Sequence, residues 1–193
     1  MRAVFAVLAN VEGYNYVRKL AWKIHQKYQT DISVSRLPPH ISLKQPFEVS
    51  DFIALENYMS ELAGSISPFD VNLTELQLIP IDIDGNETGI LWIDIQETNY
   101  LRQLHDRINL DLEQRFNNTQ AFVDGASYHF HMSVAIGGQP IEVYRKLFDE
   151  IPDRRVNLKY TVNELAMFVY DEPIALDSNY MTYKILPIGK FVR

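Results

Sequence analysis

The sequence predicts an α+β fold of two pseudo-symmetric lobes, with antiparallel strands, helices on the outside and a central cleft. Three observations predict it. Short strand-like runs alternate with stretches of three-and-four helical spacing. The order strand, helix, strand, helix, strand is written twice. One motif also recurs half a chain away, as Pro39-His40-Ile41-Ser42-Leu43 and Phe130-His131-Met132-Ser133-Val134.

The first copy opens with the apolar-leaning run Ala3 to Ala9, read as a strand. It is marginal for the apolar part of a signal peptide, and no small-residue cleavage site follows. Val17, Leu20, Ala21, Ile24 and Tyr28 then mark one face of a helix, and after the motif Phe52, Leu55, Tyr58, Met59 and Leu62 mark another. Val71 to Ile79 alternates as a half-buried strand does. Asp82 to Asn86 reads as a turn, with Gly85 and Asn86 available for positive φ. Asp84-Gly85-Asn86 lacks the ligand spacing and closing glutamate of a calcium loop.

The second copy repeats the order. Ile90 to Ile95 is a strand, and Leu101, Leu104, Ile108, Leu112 and Phe116 line a helix. After the motif, Ile141, Tyr144, Leu147, Phe148 and Ile151 line a second helix, Tyr160 to Phe168 alternates, and a last strand is expected near Tyr180 to Ile188. Glu75 and Glu164 fall at matching places, as do Asp82 and Asp171. The repeat units run approximately 1–85 and 86–193. No Ser/Gly-rich linker separates them, so residues 1–193 are read as a single bilobal domain.

Composition narrows the function classes. With 193 residues and 47% of them hydrophobic, the chain can bury a core for one domain. A net charge of −7 argues against coating long nucleic acids, which takes many Lys and Arg contacts to phosphate, but leaves a small nucleotide or an RNA end open. The absence of cysteine excludes disulfides, thiolate metal sites and cysteine nucleophiles. No stretch approaches bilayer length, so the expectation is a cytoplasmic protein with no membrane partner.

The chemistry sits in the two motifs. On a strand, residues i and i+2 share a face, so His40 points with Ser42 and His131 with Ser133. Ile41, Leu43, Met132 and Val134 point to the opposite, apolar side. Two imidazoles with unperturbed pKa values of roughly 6.5 can divide the work of an acid and a base near neutrality. Breaking a phosphodiester needs both, together with donors to the nonbridging oxygens. Ser42 and Ser133 are suited to that, and Lys44, two further along the same face, would add positive charge. No metal and no other cofactor is required.

Both tetrapeptides, His40-Ile41-Ser42-Leu43 and His131-Met132-Ser133-Val134, have the form His, apolar, Ser or Thr, apolar. In this, and in the matching elements around them, the chain resembles the 2H phosphoesterases, which include bacterial 2'-5' RNA ligase-like proteins and cyclic nucleotide phosphodiesterases. The wording Pro38-Pro39-His40-Ile41-Ser42-Leu43-Lys44 with Pro46-Phe47 is similar to a less characterised bacterial branch. The resemblance implies that the histidines are acid and base and that the serines hold the phosphate. Serine stands where threonine is commoner, which keeps the hydroxyl. The implied activity is a metal-independent phosphoesterase acting on 2',3'-cyclic phosphates or 2'-5' linkages of small nucleotides or RNA ends, with ligation as the reverse reaction.

Other residues carry weaker expectations. His129 shares the face of His131 and is placed at the edge of the pocket, with Tyr128 and Phe47 as further substrate contacts and Tyr14 and Trp92 as nearby aromatics. His129 and His131 with a third ligand would instead make a metallohydrolase, and a protein that binds a nucleotide or RNA end without turnover is the alternative from another class. His25 and His105 on helices, and the basic groups Arg18-Lys19-Lys23 and Arg154-Arg155-Lys159, are left outside the site.

Overall fold

The computed structural model describes residues 1–170 and 181–189. All four helices expected from the apolar spacing form: α1 (Val11–Tyr28), α2 (Phe52–Ser65), α3 (Asn99–Phe116) and α4 (Ile141–Asp149). Local chemistry starts three of them. Asn10, Asp51 and Thr98 each accept a hydrogen bond from the backbone N–H three residues on, satisfying a donor that the first turn leaves open.

Among the described residues there are nine strands: β1 (Arg2–Leu8), β2 (His40–Ser42), β3 (Phe47–Glu48), β4 (Phe69–Ile83), β5 (Asn86–Ile95), β6 (His131–Pro140), β7 (Arg155–Val162), β8 (Glu164–Tyr170) and β9 (Met181–Pro187). They form two antiparallel sheets, ordered β2-β1-β8-β9, with β3 also on β1, and β6-β5-β4-β7. The expected α+β duplication is therefore present. Asp171 and Tyr180, used in reading the repeat, lie outside the described residues.

The sheets do not follow the repeat boundary. β1 lies between β2 and β8, and β5 lies between β6 and β4, so the third strand of each copy joins the other copy's sheet. The expected strand Tyr160 to Phe168 is accordingly two strands. β7 pairs with β4, β8 pairs with β1, and the chain changes sheets at Asn163. Asn163 Nδ2 donates to the Thr161 carbonyl at 3.1 Å, while the Asn163 carbonyl accepts from the N–H of Ile188 at 3.0 Å. The break has a trace in the pattern, since Asn163 and Glu164 are consecutive exposed residues between buried Val162 and Leu165.

The turn between β4 and β5 has its positive φ at Asp84 and Gly85, one residue earlier than expected. Two such residues flanked by paired Ile83 and Asn86 make the tight hairpin that suits the strand twist.

β1 is buried on both faces, which is why Ala3 to Leu8 reads as a continuous apolar run rather than an alternation. Ala3, Phe5 and Val7 belong to the main core beneath the helices. Val4, Ala6 and Leu8 join Ala166, Phe168 and Tyr170 in a smaller apolar cluster on the other face. Gly89 allows the closest packing of α4 on its sheet, because a Cβ there would lie 2.6 Å from Tyr144 Cγ, and Tyr144 is fully buried. Gly89→Ala is expected to destabilise the fold by about 1–3 kcal/mol through overpacking, read as a lower urea midpoint. No described helix is long and apolar enough to cross a membrane.

Candidate active site

The two motif strands, β2 and β6, pack against each other where the sheets meet. In each, the histidine and serine face the same way and the residue between them is fully buried. His40 Nδ1–H donates to the carbonyl of Pro38 at 2.8 Å, and His131 Nδ1–H donates to the carbonyl of His129 at 2.9 Å. A carbonyl only accepts, so each neutral ring has its proton on Nδ1 and leaves the Nε2 lone pair for chemistry. The equivalence of the motifs thus extends to the tautomer.

It extends to a backbone irregularity as well. After Ser42, the N–H groups of Leu43 and Lys44 both point to the carbonyl of Phe5, at 2.7 and 3.3 Å. After Ser133 the register slips too, with Ser133 opposite Trp92 but Ala135 opposite Leu91. One extra residue at a bulge turns every later side chain to the other face.

That slip places Lys44 differently from the expectation that it shares the His40 face. Its side chain is fully buried and its ammonium is paired with the buried carboxylate of Asp124. Burial pushes the Lys44 ammonium below its usual basicity, and Asp124 opposes this. Asp124 Oδ1 also accepts from the N–H of Gln45 at 3.3 Å, and Asp124 Oδ2 from that of Ala121 at 2.8 Å.

Tyr128 and Phe47 are both core side chains, each 4% exposed. The Tyr128 hydroxyl donates to the Ser42 carbonyl at 3.0 Å, and its ring stacks on His105 at 4.3 Å between centroids. Burial raises the Tyr128 phenol far above its ordinary value. Phe47 packs near Phe5 and Lys44. His105 is structural: Nδ1–H donates to the Leu43 carbonyl at 2.9 Å and Nε2 accepts from the N–H of Gly125 at 3.2 Å. Through Lys44, Tyr128 and His105, the segment leading into His131 is tied to the end of the His40 motif.

The structure therefore brings together His40, His131, Ser42 and Ser133. Among the described residues neither serine hydroxyl has a protein partner, and each is only partly covered. His129 is exposed at the rim, where its Nε2–H donates to Asp94 Oδ1 at 2.9 Å.

Three neighbours are not placed at the site by the sequence reading, which sets Arg18 aside with the basic groups and gives Phe168 and Asp94 no role. Phe168 meets the His40 ring edge-on at 4.6 Å, Arg18 contributes positive charge near His40, and Asp94 lies directly across from His131. Trp92, noted only as a nearby aromatic, stacks on His131 with centroids 4.1 Å apart. Spacing could have suggested Trp92 and Asp94, since both alternate on one strand; Phe168 and Arg18 arrive from distant elements and leave no local signal.

Burial lowers the basicity of both imidazoles. His40 is brought down to about 4, chiefly by desolvation, with the Pro38 carbonyl opposing and with the charges of His131 and Arg18 adding to the fall. His131 is lowered by desolvation and by His129, while the His129 carbonyl and Asp94 oppose. The reach of the His131 charge to His40 fits two groups close enough to share one ligand.

The model of the 2'-5' RNA ligase superfamily matches residues 13–173. A protein of Staphylococcus haemolyticus with the provisional name of phosphoesterase is 27% identical over 146 residues, covering 74% of this chain and 78% of that protein. TT0787 of Thermus thermophilus has the same fold, with a TM-score of 0.67 at 14% identity over 98% of both chains. So has E. coli LigT, solved with 3'-AMP, with a TM-score of 0.54 at 18% identity over 98% of both chains. Two equivalent histidine strands on a duplicated fold, and a family match across most of the sequence, lead to one assignment: this chain belongs to the 2'-5' RNA ligase superfamily, the 2H phosphoesterases.

Proposed function

We propose that the protein is a phosphoric diester hydrolase that opens 2',3'-cyclic phosphates or cleaves 2'-5' linkages of a nucleotide or RNA end, without a metal, by two-histidine acid-base catalysis. The observation that carries this reading is the paired tautomer. Two imidazoles on adjoining strands each anchor Nδ1 to a carbonyl and leave Nε2 for a proton. A ligand-binding surface has no need of two such groups, whereas displacement at phosphorus needs one to take a proton and one to give it.

Ser42 and Ser133 supply hydroxyl donors to the nonbridging oxygens. The solved relative holding 3'-AMP supports a ligand of nucleotide size, and the acidic chain, at −7, is suited to a short substrate rather than a long polyanion. Lys44 acts from behind, holding the segment before His131 through Asp124.

The test is hydrolysis of a panel of 2',3'-cyclic nucleotides and short 2'-5' linked oligonucleotides by the folded protein with EDTA present. Product formation that survives chelation is expected. Activity lost on chelation would point to a metal at His129 and His131, and intact substrate after long incubation would make the protein a binder of nucleotide ends.

A further inference from the structure

The duplication that makes the two histidines equivalent is broken at the residues facing them. In the first sheet His40 stands opposite Leu8 and Ser42 opposite Ala6. In the second sheet the same two places are taken by Asp94, opposite His131, and Trp92, opposite Ser133. Directly paired residues share a face, so each histidine lies beside a different surface. His40 sits on apolar ground formed by Ala6, Leu8, Ala166 and Phe168, with the Phe168 ring against it. His131 lies nearly parallel to the Trp92 indole, at 21° and 4.1 Å between centroids, with Asp94 across the ladder. Asp94 Oδ1 in turn accepts from Trp92 Nε1–H at 2.7 Å and from His129 Nε2–H at 2.9 Å, which fixes the indole over the imidazole.

We infer that Trp92 and Asp94 are positioning residues that keep the shared proton on His131, making His131 the acid and His40 the base in the hydrolytic direction. An indole face and a carboxylate both favour an imidazolium. The apolar wall and the guanidinium of Arg18 disfavour one at His40. The groups that act on the pair are Asp94 from β5, His129 from the segment before β6 and Arg18 from α1. A substrate phosphate adds negative charge beside both rings and leaves their difference in place.

The inference rests on the acid-base reading above. For a 2',3'-cyclic phosphate, His40 Nε2 takes a proton from water as the water oxygen bonds to phosphorus. The bond from phosphorus to one ribose oxygen breaks, and that oxygen takes the proton from His131 Nε2. The product is a phosphomonoester, and exchange with solvent returns the proton from His40 to His131.

The experiment is a titration of the histidine ring resonances by NMR in the whole protein, without substrate, for wild type, Asp94→Asn, Trp92→Leu and Trp92→Phe. His131 is expected to take up its proton at higher pH than His40. Asp94→Asn and Trp92→Leu should each move the His131 midpoint down, with at most a smaller opposite change at His40, whose basicity the His131 charge lowers, and Trp92→Phe should restore most of it. If cyclic nucleotides are turned over, the first two variants should lose about two- to tenfold at the pH where wild type begins to lose activity on its alkaline side. Asp94→Asn keeps the shape of the side chain and carries the prediction alone if Trp92→Leu does not fold. Protonation of His40 before His131, or a His131 midpoint unmoved in the folded variants, overturns the inference. Because the titration needs no turnover, that outcome is separable from failure of the proposed activity.

Discussion

His40→Ala and His131→Ala are each expected to lower turnover of a cyclic nucleotide ~10²–10⁴-fold, the range for loss of a positioned general acid or base. The double variant should fall little further than the worse single one, because a step that needs both proton transfers is already lost when one is gone. Substrate affinity should change far less, since the serine hydroxyls remain. Single-turnover rates and binding of a non-hydrolysable analogue read the two effects separately. A residual rate within about fivefold of wild type in either variant would remove the two-histidine mechanism.

Stability should respond to His40 as well, with a sign that follows from its environment. The folded ring takes a proton only near pH 4, while the unfolded chain does so at about 6.5. Between these values the unfolded state binds more protons, so stability is fully present above the window and declines as pH falls through it. Urea midpoints at pH 7 and pH 5 should therefore differ less in His40→Ala than in wild type.

The largest loss of stability is expected at the other end of the motif. Asp124→Ala leaves the ammonium of Lys44, a fully buried side chain, without its partner, and breaking a buried pair from one side costs about 3–5 kcal/mol. Lys44→Met should cost less, because the Asp124 carboxylate keeps the N–H groups of Gln45 and Ala121. Combining Lys44→Met with Asp124→Ala should recover part of the loss, since no buried charge is then left without its partner, although the N–H groups of Gln45 and Ala121 stay unsatisfied. Urea denaturation of the four proteins gives the coupling directly. A cost below about 1 kcal/mol for Asp124→Ala would mean that the pair is open to water. A loss of turnover in folded Lys44→Met as deep as that of the histidine variants would return Lys44 to direct contact with the phosphate.

Much of this architecture was legible in the sequence because it depends on local periodicity. Helices α1 to α4 follow from apolar residues three and four apart, and the histidine and serine faces of β2 and β6 from spacing by two. The misplaced features depend on a single inserted residue or on long-range pairing. Lys44 fell on the wrong side of its strand because alternation was carried across a bulge, whose hydrogen bonds to Phe5 no local pattern reports. Tyr128 and Phe47 could be placed near the motifs but not on the right side of the sheet, because an aromatic that packs and one that meets a ligand are the same letter. Phe168 and Arg18 reach His40 from β8 and α1, through a topology in which each copy's third strand has moved to the other sheet.

That exchange of strands has a consequence for how the molecule can be divided. A chain ending at the β4–β5 turn would hold β1, β2 and β3 with one edge stripped of β8, and would carry β4 with neither of its neighbours. Exposed edges of that length recruit other chains. The two copies are interlocked rather than adjacent, each completing its sheet with a strand of the other. The two histidine strands meet at a boundary that the polypeptide cannot open without dismantling both sheets, so the two motifs are folded and lost together.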